Sequence, residues 1–230
     1  MMDSTFARLP EIVIQLVAFA FALSFHESAH GWVADRLGDP TARRLGRITL
    51  NPIKHVDLVG TIIFPIMLAV MGVPILGWAK PVPFVQNNLR NRRWGPALVG
   101  LAGPASNLLL AAVATTALLV LKPSVPNFEL ITEVPLTLQT LRILGPAAPL
   151  VLLLLWFAAI NLILAVFNLV PIPPLDGSHL LEAALSRRWA YYYSRVGAYG
   201  MVILFALVYF GLFGRLIQPV LGLFSRILAA

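Results

Sequence analysis

The chain alternates between long apolar runs and short segments that hold most of its charges. Five apolar stretches dominate the pattern, at roughly 11–34, 58–76, 95–121, 147–170 and 196–213. A membrane-spanning helix needs roughly 20 mostly apolar residues, and most of these stretches meet that length. The second, LVGTIIFPIMLAVMGVPIL, is broken by Gly60, Pro65, Gly72 and Pro74, which makes it poor material for a straight span and reasonable material for a re-entrant hairpin. In Arg215–Ala230, Leu216, Ile217, Val220, Leu221, Phe224 and Leu228 fall near one helical face, so this segment either lies along the interface or continues the last helix. No internal repeat or low-complexity tract appears. The pattern predicts an all-α polytopic membrane protein, a single domain over 1–230. Its expected spans are 11–34, 95–121, 147–170 and 196–213, with a re-entrant hairpin at 58–76 and a short β segment beside it.

Composition narrows the chemistry. At 59% hydrophobic and 12% charged, with a mean hydropathy of +0.83, the 230 residues exclude one soluble core and leave no room for a sizeable soluble domain. The absence of cysteine excludes disulfides, iron–sulfur clusters and thiolate zinc sites, so any metal must be held by nitrogen and oxygen.

The net charge of +7 reports topology rather than a nucleic-acid partner. Arg36, Arg43, Arg44, Arg47 and Lys54 precede the second stretch, and Lys80, Arg90, Arg92 and Arg93 follow it. A re-entrant segment puts both groups inside, together with Arg187, Arg188 and Arg195, as the positive-inside rule prefers. The connection from Lys122 to Arg142, with Glu129 and Glu133, then faces outward with the N-terminus. The first stretch follows Asp3 and Glu11 with only Arg8 as a basic residue, and it continues into His26 and Glu27. It is therefore expected to be retained, not cleaved as a signal. The expected location is the cell (inner or plasma) membrane, multi-pass.

At the inner end of the first span lies HESAH. His26 and His30 are four apart, so a helix brings both imidazoles onto one face, where they can act as two zinc ligands. Glu27 beside them could take the proton of an attacking water. The plain alternative is a capped, polar helix end, but three ionisable side chains in an apolar helix need pairing, a metal or a wet cavity. A catalytic zinc usually has three protein ligands. The acid in the most unusual setting is Asp176, in NLVPIPPLDG, where Pro171, Pro173 and Pro174 break the helix. Its alternative is an ordinary Pro-Asp-Gly turn. If 58–76 is re-entrant, Asp176 and the histidines share one membrane face.

These residues resemble the site-2 protease family of intramembrane zinc metalloproteases, in its short bacterial branch without a PDZ domain. That family pairs H-E-x-x-H with an N-x-x-P-x-x-x-x-D-G-type motif, and Asn168, Pro171, Asp176 and Gly177 fall at that spacing. GWAKPVPF (77–84) and AGPASN (102–107) add to the likeness, which runs from His26 to about Leu185. The resemblance implies one Zn2+ per chain held by His26, His30 and Asp176, with Glu27 as base and Asn168 near the substrate carbonyl. An interhelical hydrogen bond is the alternative for Asn168. Gly103 and Asn107 are read as packing residues. Ser178 stands where many relatives have glycine. His179 is a candidate extra ligand, and His55 either bears on the site or caps the re-entrant region.

The implied activity is hydrolysis of peptide bonds in or near transmembrane segments of membrane proteins. Residues 77–86 could offer a strand edge to an unwound substrate, although Pro81 and Pro83 confine such a strand to an edge position. Two other classes fit parts of the pattern: a divalent-cation transporter or channel, and an inactive relative that binds a membrane protein without cutting it. The expected partners are a membrane-protein substrate and the lipid bilayer, with no nucleic acid.

Overall fold

The computed structural model describes residues 9–71, 77–128 and 145–230. The connection around Glu129 and Glu133, and the breaks at Gly72 and Pro74, lie outside the described residues. What is described is helical, with no β strand among the described residues. The main helices are α1 (Leu9–Arg36), α2 (Phe64–Met71), α3 (Gly95–Leu121), α4 (Ala148–Leu169), α5 (Gly177–Ala184), α6 (Arg187–Val196), α7 (Gly200–Tyr209) and α8 (Leu212–Ala229).

Helices α1, α3 and α4 pack against one another as the centre of the bundle. At 28, 27 and 22 residues and 1.5 Å per residue they run about 42, 40 and 33 Å, enough to cross a hydrocarbon layer of about 30 Å. Five helical runs among the described residues are long and apolar enough to cross a membrane: these three, Arg187–Tyr209 and α8. The chain is thus a multi-pass membrane protein. Its outer surfaces are apolar, as at Leu109, Val113 and Val120 of α3, whereas the polar His26, Asn107 and Asn161 are buried between helices. This is the distribution expected where the solvent is lipid.

The three central helices alternate in direction. His26, at the C-terminal end of α1, meets the N-terminal half of α3. At the opposite end, Ala114 and Leu118 of α3 pack with Ala148, Val151 and Leu152 at the start of α4. Helix α8 runs lengthwise beside them. Its Phe213 ring stacks edge-on against Phe167 at the histidine end. Its Phe224 and Leu228 join the cluster at the far end, where Lys122 Nζ donates to the carbonyl of Leu228 at 2.8 Å. The segment from Arg215 to Ala230 therefore continues as a packed helix instead of lying across the end of the bundle. Preceding it, α7 has only ten residues, and Gly211, with a φ of 68°, separates the two helices.

The apolar segment starting at Leu58 enters as a π-helical turn capped by Asp57, whose side chain accepts from the amides of Val59 and Gly60. Residues 77–80 return beside its start. Trp78 N donates to Gly60 O at 3.1 Å and Lys80 N to His55 O at 2.9 Å. The guanidinium of Arg47 bridges the carbonyls of Lys54 and Lys80. A Cβ on Gly77 would strike the carbonyl of Gly60, so the close approach requires glycine.

The expected short β segment is not formed at 77–86. Pro81 and Pro83 supply no amide donors. The amides of Trp78, Lys80, Val82 and Val85 go to Gly60, His55, Glu27 and Asp39, not to a neighbouring strand.

Candidate metal and catalytic site

Helical spacing puts His26 and His30 on the inward face of α1, with ring centroids 4.6 Å apart and planes nearly perpendicular. Asp176 reaches them from the turn that follows α4. The closing helix α5 packs on the N-terminal half of α3, and Arg93 ties its end down by donating to the carbonyls of Ala183 and Leu185. Asp176 Oδ2 then lies 3.1 Å from His26 Nε2 and 3.3 Å from His30 Nε2. One candidate donor atom from each of the three residues falls within 4.8 Å of the others.

The other ring nitrogens decide what this group can hold. His30 Nδ1 is 2.7 Å from the carbonyl of Val99, which can only accept, so Nδ1 carries a proton and the neutral ring keeps its lone pair on Nε2. His26 Nδ1 lies 2.5 Å from Asn107 Oδ1, with the same consequence. Asp176 Oδ2 is buried and takes no hydrogen bond from the described residues. With both rings neutral these three acceptors face one another, and only a proton or a metal cation among them relieves the repulsion. Two imidazoles and one carboxylate are a catalytic zinc donor set that leaves a position open for water. Space has been left as well: a Cβ on Gly103 would stand 2.5 Å from His30 Nε2 and 2.6 Å from His26 Nε2.

Behind His26 runs a chain of buried amides. Asn107 Nδ2 donates to Asn161 Oδ1 at 2.6 Å and more weakly to Ala22 O at 3.4 Å. Asn161 Nδ2 donates to Phe157 O at 2.7 Å. Both asparagines have zero exposure. Asn107 and Gly103, read from the sequence as packing residues, instead touch the metal group directly. Asn161 carries no motif and was not marked by the sequence at all.

Glu27 is half-buried on the wall of a cavity of about 620 Å³, and its Oε2 accepts the Val82 amide at 2.7 Å. His26, His30 and Asp176 line the same cavity, whose remaining wall is largely apolar, including Phe64, Phe167 and Phe205. Asn168 also lines it, with its Nδ2 turned back to Leu164 O at 3.0 Å. His179 faces the cavity, with its ring against Phe84, and stands outside the group of three donors. His55 is elsewhere: it is buried, with Nε2 2.8 Å from Thr49 O and its carbonyl taking the Lys80 amide, so it belongs to the base of the 58–76 segment.

One buried acid outside this group had no sequence signal. Asp39 accepts from the Val85 amide, the Asn88 side chain and both the amide and hydroxyl of Thr41, anchoring the cavity wall at 82–88 to the end of α1. Burial opposes its ionisation, but these hydrogen bonds outweigh it and hold the carboxyl below its ordinary value.

The profile of Peptidase family M50 matches residues 14–211. The Bacillus subtilis (strain 168) protein named "Putative zinc metalloprotease YwhC" is 32% identical over 214 residues, covering 93% of this chain and 87% of that protein. "Putative zinc metalloprotease Rip2" of Mycolicibacterium smegmatis is 29% identical over 101 residues, covering 44% of this chain and 38% of that protein. No solved structure matches the chain significantly.

Proposed function

The chain belongs to peptidase family M50, the site-2 protease family of zinc metalloproteases, and we propose that it hydrolyses peptide bonds in or near the transmembrane segments of membrane proteins. In this reading His26, His30 and Asp176 hold one zinc ion and Glu27 is the base. The observation that carries it is the convergence of His26 Nε2, His30 Nε2 and Asp176 Oδ2 on the wall of an apolar cavity, with the Nδ1 of each ring turned to another partner. When bound, zinc polarises the scissile carbonyl and lowers the pKa of an attacking water to about 7.

Glu27 keeps one oxygen on the Val82 amide and has the other free to take the water's proton and pass it to the leaving amine. Asn168, turned from Leu164 O toward the cavity, donates to the oxyanion as charge develops on the carbonyl oxygen. The apolar wall suits the side chains of a locally unwound transmembrane segment. The N-terminal position of α5 just after Asp176 also favours a negatively charged carboxylate there.

Two features support the membrane arrangement. The start of the 58–76 segment and its return at 77–80 are bonded to one another, as a re-entrant hairpin requires. The basic side chains from Arg36 to Lys54, from Lys80 to Arg93 and from Arg187 to Arg195 surround the histidine motif and the turn at Asp176 in the sequence, which supports a cytoplasmic histidine end and an N-terminus outside. The lengthwise packing of α8 favours it as the last crossing.

The test is cleavage of a single-span peptide by the purified protein in liposomes. Chelation should abolish cleavage and added zinc restore it. Cleavage that persists in protein shown by elemental analysis to be metal-free would overturn the proposal. Zinc-dependent cation flux without cleavage would favour a transporter.

A further inference from the structure

Resting on the metal-site reading, we infer that Asn161, on α4, is a positioning residue that sets the tautomer of His26 through Asn107. Asn161 lies one residue beyond Ile160 of the cavity wall and is separated from His26 by a whole side chain. Its place in a directional series of hydrogen bonds nevertheless determines which proton His26 carries.

The series has a fixed terminus. Phe157 O is a backbone carbonyl and can only accept, so Asn161 must turn its Nδ2 toward it, at 2.7 Å. That leaves Asn161 Oδ1 facing Asn107, which must then present its own Nδ2, at 2.6 Å. Asn107 Oδ1 is thereby directed at His26 Nδ1, 2.5 Å away. An acceptor there requires the proton on Nδ1, so the neutral ring keeps its lone pair on Nε2, toward Asp176 and His30. A flipped Asn107 amide would aim N–H groups at His26 Nδ1, move the ring proton to Nε2 and block the metal position. The other hold on the Asn107 amide is the 3.4 Å contact to Ala22 O, too long to fix the orientation alone.

The setting strengthens the effect. Both asparagines have zero exposure, and the series joins three helices: His26 of α1, Asn107 of α3, and Asn161 with Phe157 O of α4. No water competes for these groups in an apolar bundle, so each bond is directed only by its neighbours. His30 needs no such relay, because the carbonyl of Val99 orients it directly. The two histidines are thus fixed by different means, one by backbone and one by a side-chain series reaching α4.

The experiment is competition for zinc between a chromogenic chelator and detergent-purified protein, with helical content and the thermal midpoint of the metal-free protein as fold controls. Asn161→Leu should weaken zinc binding by about 10–100-fold, the usual cost of losing an outer partner of a metal-bound histidine. Asn107→Asp in the same background should restore most of that loss, because a carboxylate accepts from His26 whichever way it is turned. If the leucine variant does not fold, Asn161→Ala takes its place with the same expectation. Unchanged zinc affinity on removing the Asn161 amide, or failure of Asn107→Asp to restore it, would overturn the inference. Absence of zinc binding by the unaltered protein would instead refute the metal site itself.

Discussion

Gly103 leaves open the space between two rings: a Cβ there would stand 2.5 Å from His30 Nε2. A contact below 3.0 Å to a ring held from behind by Val99 O cannot be relieved by a rotamer change. Gly103→Ala should therefore push the imidazoles apart and reduce zinc affinity by at least about tenfold, with the helices intact. Zinc per chain after dialysis against a weak chelator measures this, and normal retention would show that the rings can move.

Glu27→Gln should separate fold, metal and chemistry. The glutamine oxygen can still accept the Val82 amide, so the cavity wall and zinc content should stay as they are. Cleavage should fall by about 10²–10⁴-fold, the usual worth of a general base. Cleavage at an unchanged rate would remove Glu27 from that role.

Asn168→Ala removes an amide that lies on the cavity wall and, among the described residues, bonds its own helix at Leu164 O. A role in oxyanion stabilisation predicts a loss in kcat of about 10²–10³-fold with KM and zinc content nearly unchanged. A rise in KM alone would assign Asn168 to ground-state binding.

Asp39 supplies the pH dependence. Its folded carboxyl is held below the ordinary value, so the stability it contributes is fully present above the unfolded pKa, about 4, and is lost as pH falls through the lower folded value. Asp39→Asn, which cannot accept from all of Val85, Asn88 and Thr41, should cost about 1–3 kcal/mol at neutral pH. In detergent melts the gap to the unaltered protein should hold from pH 7 to 5 and narrow only below about 4. A gap that closes between pH 7 and 5 would point to a histidine.

The pattern of the sequence made some of this legible and hid the rest for identifiable reasons. Apolar run length revealed α1, α3 and α4, and the spacing of His26 and His30 placed both on one face. Asp176 was visible because prolines break the helix before it. Asn161 was not, since one asparagine inside an apolar run has no local spacing to mark it, and its partner lies on another helix. Gly103 looked like a packing glycine because the missing Cβ matters only once α1 is beside it. The segment of α8 was open between an interfacial helix and a continuation of the last span, because an apolar face suits either; Phe213, Ile217, Phe224 and Leu228 are the residues that pack. The 77–86 segment fitted an edge strand only loosely, and its amides are consumed by carboxylates and loop carbonyls, which no alternation pattern records.

The central claim is that His26, His30 and Asp176 together hold the metal, and elemental analysis of purified protein tests it most directly. Compared side by side would be the unaltered chain, Asp176→Ala, and the double variant His26→Ala with His30→Ala. The account predicts about one zinc per chain in the first and almost none in either variant. Zinc retained in full by Asp176→Ala would contradict it and direct attention to His179, across the same cavity.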